Sequence, residues 1–304
     1  MAKETRDDRT DAQHVRERLL AATPLAERHE PLAGVFTAIL EGGDGPPMVL
    51  LHGPGEFAAV WTRVIPDLVA THHVVAPDLP GHGASGLPDG RLDVERVVAW
   101  LDALIEQTCA TPPVLVGRML GGAIAARYAV DHGDRVHRLV LVDSFGLAPY
   151  RPTPAFALTV AAVQVRQSER TFARLMNACY VDPTAIHRDL AETWEWITAY
   201  GLDRSRTSNT KTALRPLLPI LALRRIPAAD LAGIAVPTTL IHGREDLSVR
   251  LQVAESASAR FGWPLYVIDG ARDDPPLEQP AAFVAALRSA LAEGPTRFDK
   301  EDAS

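Results

Sequence analysis

One side chain, Met119, falls at the tip of a bend with glycines two positions on either side, Gly117 and Gly121. The apolar run Val114, Leu115 and Val116 before it reads as a buried strand, and the small-residue run from Leu120 reads as a helix. A strand that turns this tightly into a helix lifts its apex residue above the sheet, where a serine hydroxyl would serve as nucleophile. A methionine thioether has no proton to give up and forms no acyl-enzyme. Its positive use is as an adaptable apolar floor for a hydrophobic ligand.

Proton-moving groups lie further along the chain. Asp246 ends the turn Gly243-Arg244-Glu245-Asp246 after a late apolar run, and Asp273 precedes the last helical pattern. Two carboxylates held together under a cover cannot both ionise cheaply, so one keeps its proton to higher pH and the pair can act as acid and base. The alternative is that Asp273 turns outward or is neutralised by Arg272, Arg118 or Arg244. Arg118, beside the apex, reads as a structural ion pair, with Asp143 or another carboxylate, or as an anion clamp. His52 and His82 read as loop-holding residues, each a fallback base. Asp78, Asp143 and Ser144 read as strand-end caps.

The elements that must position these groups follow from hydrophobic periodicity. Residues 1–11 read as a disordered lead-in and 13–22 as a short helical packing arm. Residues 25–40 suggest two antiparallel edge strands. Buried strands are expected at 48–51, 73–76, 114–116, 136–142, 236–241 and 264–268. Helices are expected at 57–70, 93–107, from 120 onward, 251–261 and 280–291. Regular alternation of strand and helix implies a parallel sheet covered on both faces. From about 149 to 230 there is no strand pattern. Helical runs over 156–179 and 185–200 are instead separated by Pro183, Pro216, Pro219 and Pro227. Such an insertion lies over the strands' carboxyl ends, where ligands bind, and reads as a lid. Its Trp194, Trp196 and Tyr200 are assigned mainly to packing within it.

Composition narrows the partners. The 304 residues are 47% hydrophobic, enough for one large domain with an insertion. A net charge of -7 supplies no basic footprint for nucleic acid. The 2 cysteines, Cys109 and Cys179, fit no metal or redox spacing. No run reaches the ~18 apolar residues of a membrane span, and the first residues carry no secretory signal. The expectation is a cytoplasmic protein without cofactor or metal, acting on a hydrophobic small molecule. Homodimerisation is left open.

Five motifs now stand in one order, each after a strand. They are His52-Gly53-Pro54-Gly55, the run from Asp78 to Ser85 (Asp78-Leu79-Pro80-Gly81-His82-Gly83-Ala84-Ser85), the bend at Met119, the Asp246 turn, and the run from Asp273 to Pro280. In that order the chain resembles the α/β-hydrolase superfamily, in particular its lidded esterases, C–C hydrolases and cofactor-free peroxidases. The resemblance implies a mostly parallel twisted sheet flanked by helices, with a helical lid. It divides the chain into an N-terminal extension (1–24), a core (25–148 and 231–294), a lid (149–230) and a charged tail (295–304). It also implies a triad: the acid falls on Asp246, the serine on Met119, and the histidine, five residues before Glu278, on Asp273. The oxyanion hole falls on Leu120 and on the residue after Gly53, which is Pro54 and has no N–H. Nucleophile, base and one oxyanion donor are missing together, a loss on the order of 10⁶ in kcat for a serine hydrolase from nucleophile or base alone. The leading expectation is therefore a non-hydrolytic isomerase, lyase or cyclase using carboxylate acid/base chemistry. The rivals are an unconventional hydrolase of an ester, lactone or C–C bond, and a non-catalytic binder or sensor.

Overall fold

A computed structural model describes residues 6–88, 92–222 and 224–292 of the chain. Eight strands form one sheet in the order β1-β2-β4-β3-β5-β6-β7-β8: β1 Ala26–Leu32, β2 Val35–Gly42, β3 Pro47–Leu51, β4 His73–Pro77, β5 Val114–Arg118, β6 Arg138–Val142, β7 Thr238–Gly243 and β8 Leu265–Ile268. β1 and β2 form an antiparallel pair that joins β4, and every pairing from β4 to β8 is parallel. The central strands β3, β5 and β6 are buried at every residue, which is why they read as continuous apolar runs rather than as alternation.

Helices cover both faces. In chain order they are α1 Arg6–Ala21, α2 Ile65–Val69, α3 Val94–Thr108, α4 Leu120–His132, α5 Pro154–Val165, α6 Glu169–Cys179, α7 Pro183–Leu190, α8 Glu192–Arg206, α9 Ser208–Leu217, α10 Ala228–Ala232, α11 Leu251–Phe261, α12 Pro275–Glu278 and α13 Pro280–Ala292. One core gathers Trp100, Leu101 and Leu104 of α3, Ile124 and Tyr128 of α4, and Ala254 of α11. The opposite core gathers Leu19 of α1, Trp61, Ile65 of α2 and Phe283 of α13. The α/β-hydrolase architecture is thus present, with α5 to α10 inserted between β6 and β7. No helix among the described residues is long and apolar enough to cross a membrane.

Three local expectations are corrected. The expected disordered lead-in is helical from Arg6, because a helix anchored by its docked end propagates outward without needing its own apolar stripe. The docking is through Leu19 and through Arg16, which reaches Tyr200, Glu27 and Asp78. The expected 57–70 helix is a 3₁₀ turn over Ala58–Arg63 followed by α2, with Pro66 at the start of the second piece, where its missing N–H costs nothing. The two long insertion runs are each divided in two. A capping box of Ser168 and Thr171 starts α6, and Ala191 at φ 47 separates α7 from α8. Residues 1–5 and the tail 295–304 lie outside the described residues.

Candidate active site

The bend is built as its glycines require. Met119 takes φ 46 and ψ -106, a conformation that side-chain-bearing residues rarely adopt, and it caps α4. A Cβ at Gly117 would collide with the Gly121 carbonyl, and one at Gly121 with the Leu51 carbonyl, so strand and helix can approach this closely only through glycine. The strained peptide is fixed from both sides. The Met119 N–H donates to the Val142 carbonyl at 3.0 Å, and its own carbonyl accepts from the Phe145 N–H at 3.1 Å. The apex therefore holds a thioether, 95% buried, in the position a nucleophile would take. Leu120 heads α4, so its N–H has no acceptor within the helix. Gly53 donates its N–H to Glu56 at 2.8 Å, and Pro54 beside it has none to give.

Arg118 is a structural ion pair, but not with Asp143. It is 1% exposed and donates to the Glu56 carboxylate and the Asp273 carbonyl, with Asp274 at 3.6 Å. Burial works against its charge, and Asp274, Glu56 and Asp273 outweigh that and hold the guanidinium firmly protonated. The only sulfur it meets is the Met119 thioether, at 3.7 Å among the described contacts. Nη1 and Nη2 are thus both engaged with protein acceptors.

The carboxyls converge as expected, and there is a third. Asp246 uses Oδ1 to accept the Ser248 and Val249 N–H groups at 2.6 and 2.9 Å, and its Oδ2 is buried without a hydrogen-bond partner. In a working triad that second oxygen receives the histidine N–H. Asp143, held at φ 44 at the end of β6, accepts the Gly243 N–H at 2.9 Å and likewise leaves Oδ2 without a partner. Burial, then the mutual repulsion of the carboxyls, raises Asp143 (against Asp246) and Asp246 (against Asp273) far above the usual carboxylate range. Asp273 is buried, not turned outward. Burial pushes it up to about 7, with Arg118 pulling the other way. Arg272 and Arg244 do not neutralise it: the first binds backbone carbonyls and the second pairs with Asp269.

His242 of β7 lies between two of these acids. Its Nε2 sits 2.7 Å from the Val249 carbonyl and its Nδ1 3.3 Å from Asp143. Burial lowers it to about 4, so the ring is neutral, donates through Nε2 and turns a lone pair toward Asp143. Asp143, His242 and Asp246 each offer one ligand atom within 4.8 Å of the others and are the described residues that could hold a metal. His52 is not placed to activate water. Its Nδ1 lies 2.8 Å from the Gly53 carbonyl and its Nε2 accepts the Leu79 N–H at 3.0 Å, so both ring nitrogens are engaged with backbone. Asp78 is the cap it was expected to be, accepting the Ala58 and Ala84 N–H groups.

The insertion is tied down over this cluster. Arg272 Nη1 donates to the carbonyls of Asn177, Ala178 and Tyr180 at 2.9, 3.1 and 2.8 Å, closing the end of α6. Glu278 accepts the Val181 and Arg272 N–H groups, both at 2.6 Å. This clasp brings the Cys179 thiol onto the Asp273 carboxyl as a donor, where burial and Asp273 push it well up and keep it a thiol. Of Trp194, Trp196 and Tyr200, Trp194 packs within the insertion, on Tyr180; Tyr200 packs on Phe57 of the core and Trp196 under Arg18 of α1, so the expected packing within the insertion holds for one of the three. Sequence reasoning passed over Glu56, Cys179, Asp274 and His242. Glu56 was visible as the one acid in the loop after His52-Gly53-Pro54-Gly55, whereas nothing in the sequence points to Cys179.

Comparison with known proteins fits this geometry. The sequence model described as "alpha/beta hydrolase fold" matches residues 46–280. A 2-hydroxymuconate semialdehyde hydrolase of Pseudomonas sp. (strain CF600) is 32% identical over 236 residues, covering 73% of this chain and 78% of that protein. A 2-hydroxy-6-oxo-6-phenylhexa-2,4-dienoate hydrolase from Rhodococcus sp. strain RHA1 superposes with a TM-score of 0.77 at 24% identity, over 88% of this chain and 99% of that one. The carboxylesterase CesB of Bacillus subtilis superposes at 0.80 and 19% identity, over 95% and 99%. The named relatives are hydrolases, and this overturns the expectation of a non-hydrolytic isomerase, lyase or cyclase. That expectation equated loss of the serine with loss of hydrolysis, although water can attack a carbonyl without a covalent intermediate.

Proposed function

The chain belongs to the α/β-hydrolase family, and we propose that it is an unconventional hydrolase of a small hydrophobic ester, lactone or C–C substrate. In this reading the insertion 149–230 is the lid of a core formed by 25–148 and 231–294, and the substrate site lies beneath it. Met119 is its apolar floor. Water is the nucleophile: the Asp273 carboxylate accepts a proton as the water oxygen bonds to the substrate carbonyl carbon. The oxyanion that forms meets the Leu120 N–H. Collapse re-forms the carbonyl, breaks the bond to the leaving oxygen or carbon, and Asp273 returns its proton to that atom. Asp246, protonated beside it, keeps two charges from facing each other during the step.

The observation that carries this reading is the placement of Asp273. In a chain of hydrolase ancestry without a nucleophile, the histidine position holds a carboxyl that is buried, coupled to the retained acid Asp246 and covered by the clasped insertion. The test is turnover of nitrophenyl esters, lactones and vinylogous diketones by the purified chain and by Asp273→Asn. Release above buffer that the variant abolishes supports the reading. Release that Asp273→Asn leaves intact defeats it, as does stabilisation by such molecules that are recovered unchanged.

A further inference from the structure

A cavity of about 390 Å³ opens beside the acid cluster, between the loop after β6, the segment entering α10, and α11 with the turn before it. Met119, Cys179 and Asp273 do not line it. Four arginines do, Arg151, Arg225, Arg250 and Arg260, and no aspartate or glutamate is among its lining residues. Each of the four is exposed. Among the described residues, none of them has a carboxylate within ion-pair distance. Exposed Arg170, Arg174 and Arg215 show no such pair either, so what sets these four apart is that they surround one cavity. In a chain with 38 acids against 31 basic residues, four guanidiniums without a carboxylate partner, Arg260 lying over the Phe261 ring, concentrate positive charge around one concavity.

We propose that this cleft is a binding site for a small organic anion, a phosphate monoester or carboxylate with an apolar body. Guanidiniums match such head groups with planar, paired donors. The floor suits the remainder of the ligand: Phe145, Ile226, Leu231 and Val253 are apolar, and Tyr150 and Ser248, hydrogen-bonded to each other at 3.2 Å, add hydroxyls. The volume falls within the range of ligand sites. The cleft also shares its walls with the acid cluster. Ser144 and Phe145 follow Asp143 directly, and the Ser248 and Val249 N–H groups are the ones Asp246 holds. An occupant would therefore steady the loops carrying both acids without touching Met119 or Asp273. None of this depends on the hydrolase reading.

Calorimetric titration of the full chain with octyl phosphate, octanoate, inorganic phosphate and neutral octanol tests the site. Saturable binding of octyl phosphate or octanoate is expected, and whichever binds more tightly identifies the head group. Arg225→Ala with Arg250→Ala should weaken binding about tenfold or more, because each removes charge-assisted donors. Ser256→Trp, which fills the cleft with the arginines intact, should abolish it. Arg244→Ala, outside the cleft, should leave it unchanged. Equal affinity for octanol, or anion binding that survives both the double variant and Ser256→Trp, would overturn the proposal. Unchanged melting of the unliganded variants establishes that the site, not the fold, was altered.

Discussion

Replacing Arg118 by methionine keeps much of the side chain's volume and removes its charge from a place where two carboxylates depend on it. Glu56 and Asp274 have side chains 25% and 4% exposed, and the Asp273 carbonyl loses its donor as well. Breaking a buried ion set by removing one member costs about 3–5 kcal/mol, because the partners stay buried and unpaired. That is a large part of the ~5–15 kcal/mol that holds a typical domain folded. The pH dependence has a definite sign. Arg118 pulls down the folded-state values of Asp273 and Asp274, so its loss lets the folded variant bind protons that the wild type releases. The deficit should be greatest above pH 8, where Asp273 and Asp274 are charged, and should shrink toward pH 5 as these two protonate. Urea titrations followed by tryptophan fluorescence at both pH values measure it. A deficit below about 1 kcal/mol at pH 8, the range of exposed pairs, or one that does not change with pH, would refute the buried-charge argument.

Other outcomes follow from the same geometry. Asp273→Asn should fold and lower turnover by about 10²–10⁴, the usual contribution of a positioned acid/base. Acting as base, Asp273 must be ionised, so kcat/KM should rise with pH through about 7, and a flat profile would count against it. The same carboxyl sits above its unfolded value of 3.8, so its protonation favours the folded state at low pH and that stabilisation is lost as pH climbs toward 7; Asp273→Asn should flatten this part of the stability profile. Met119→Ser alone should stay unreactive toward a fluorophosphonate, whereas Met119→Ser combined with Asp273→His and Pro54→Gly should label at position 119, because Asp246 Oδ2 is free to receive the new imidazole. His52→Ala should lower the melting temperature, since the Leu79 N–H loses its acceptor, but leave the pH–rate profile of the folded fraction unmoved.

The fold was legible because its signals are local and repeated. β-branched runs set the parallel strands, the helix expected over 93–107 is α3 with Asp93 as its cap, and residues 251–261 form the expected helix. Where the reading failed at α1, the deciding contacts were distant. The start of α1 depends on Arg16 reaching Asp78 and Tyr200; the break before Ser168, by contrast, rests on the local capping box of Ser168 and Thr171, which the reading passed over. The site shows the same division. Met119, Leu120, Pro54, Asp246 and Asp273 were located by the resemblance to the α/β-hydrolase pattern, whose motifs at strand ends place residues by count. Glu56, Asp274, His242 and Cys179 enter only once separate loops meet, and Cys179 arrives through a clasp made by Arg272 and Glu278. The expectation about function went wrong at a different step, by treating an absent serine as absent hydrolysis.

Intact-mass spectrometry of the chain, acid-quenched while it turns over an activated ester, bears most directly on direct attack by water. The expected record is product accumulating over many turnovers with the protein at its unmodified mass throughout, and no product from Asp273→Asn. An acyl adduct that forms and decays at a competent rate, on Cys179, Ser144 or any other side chain, would contradict it.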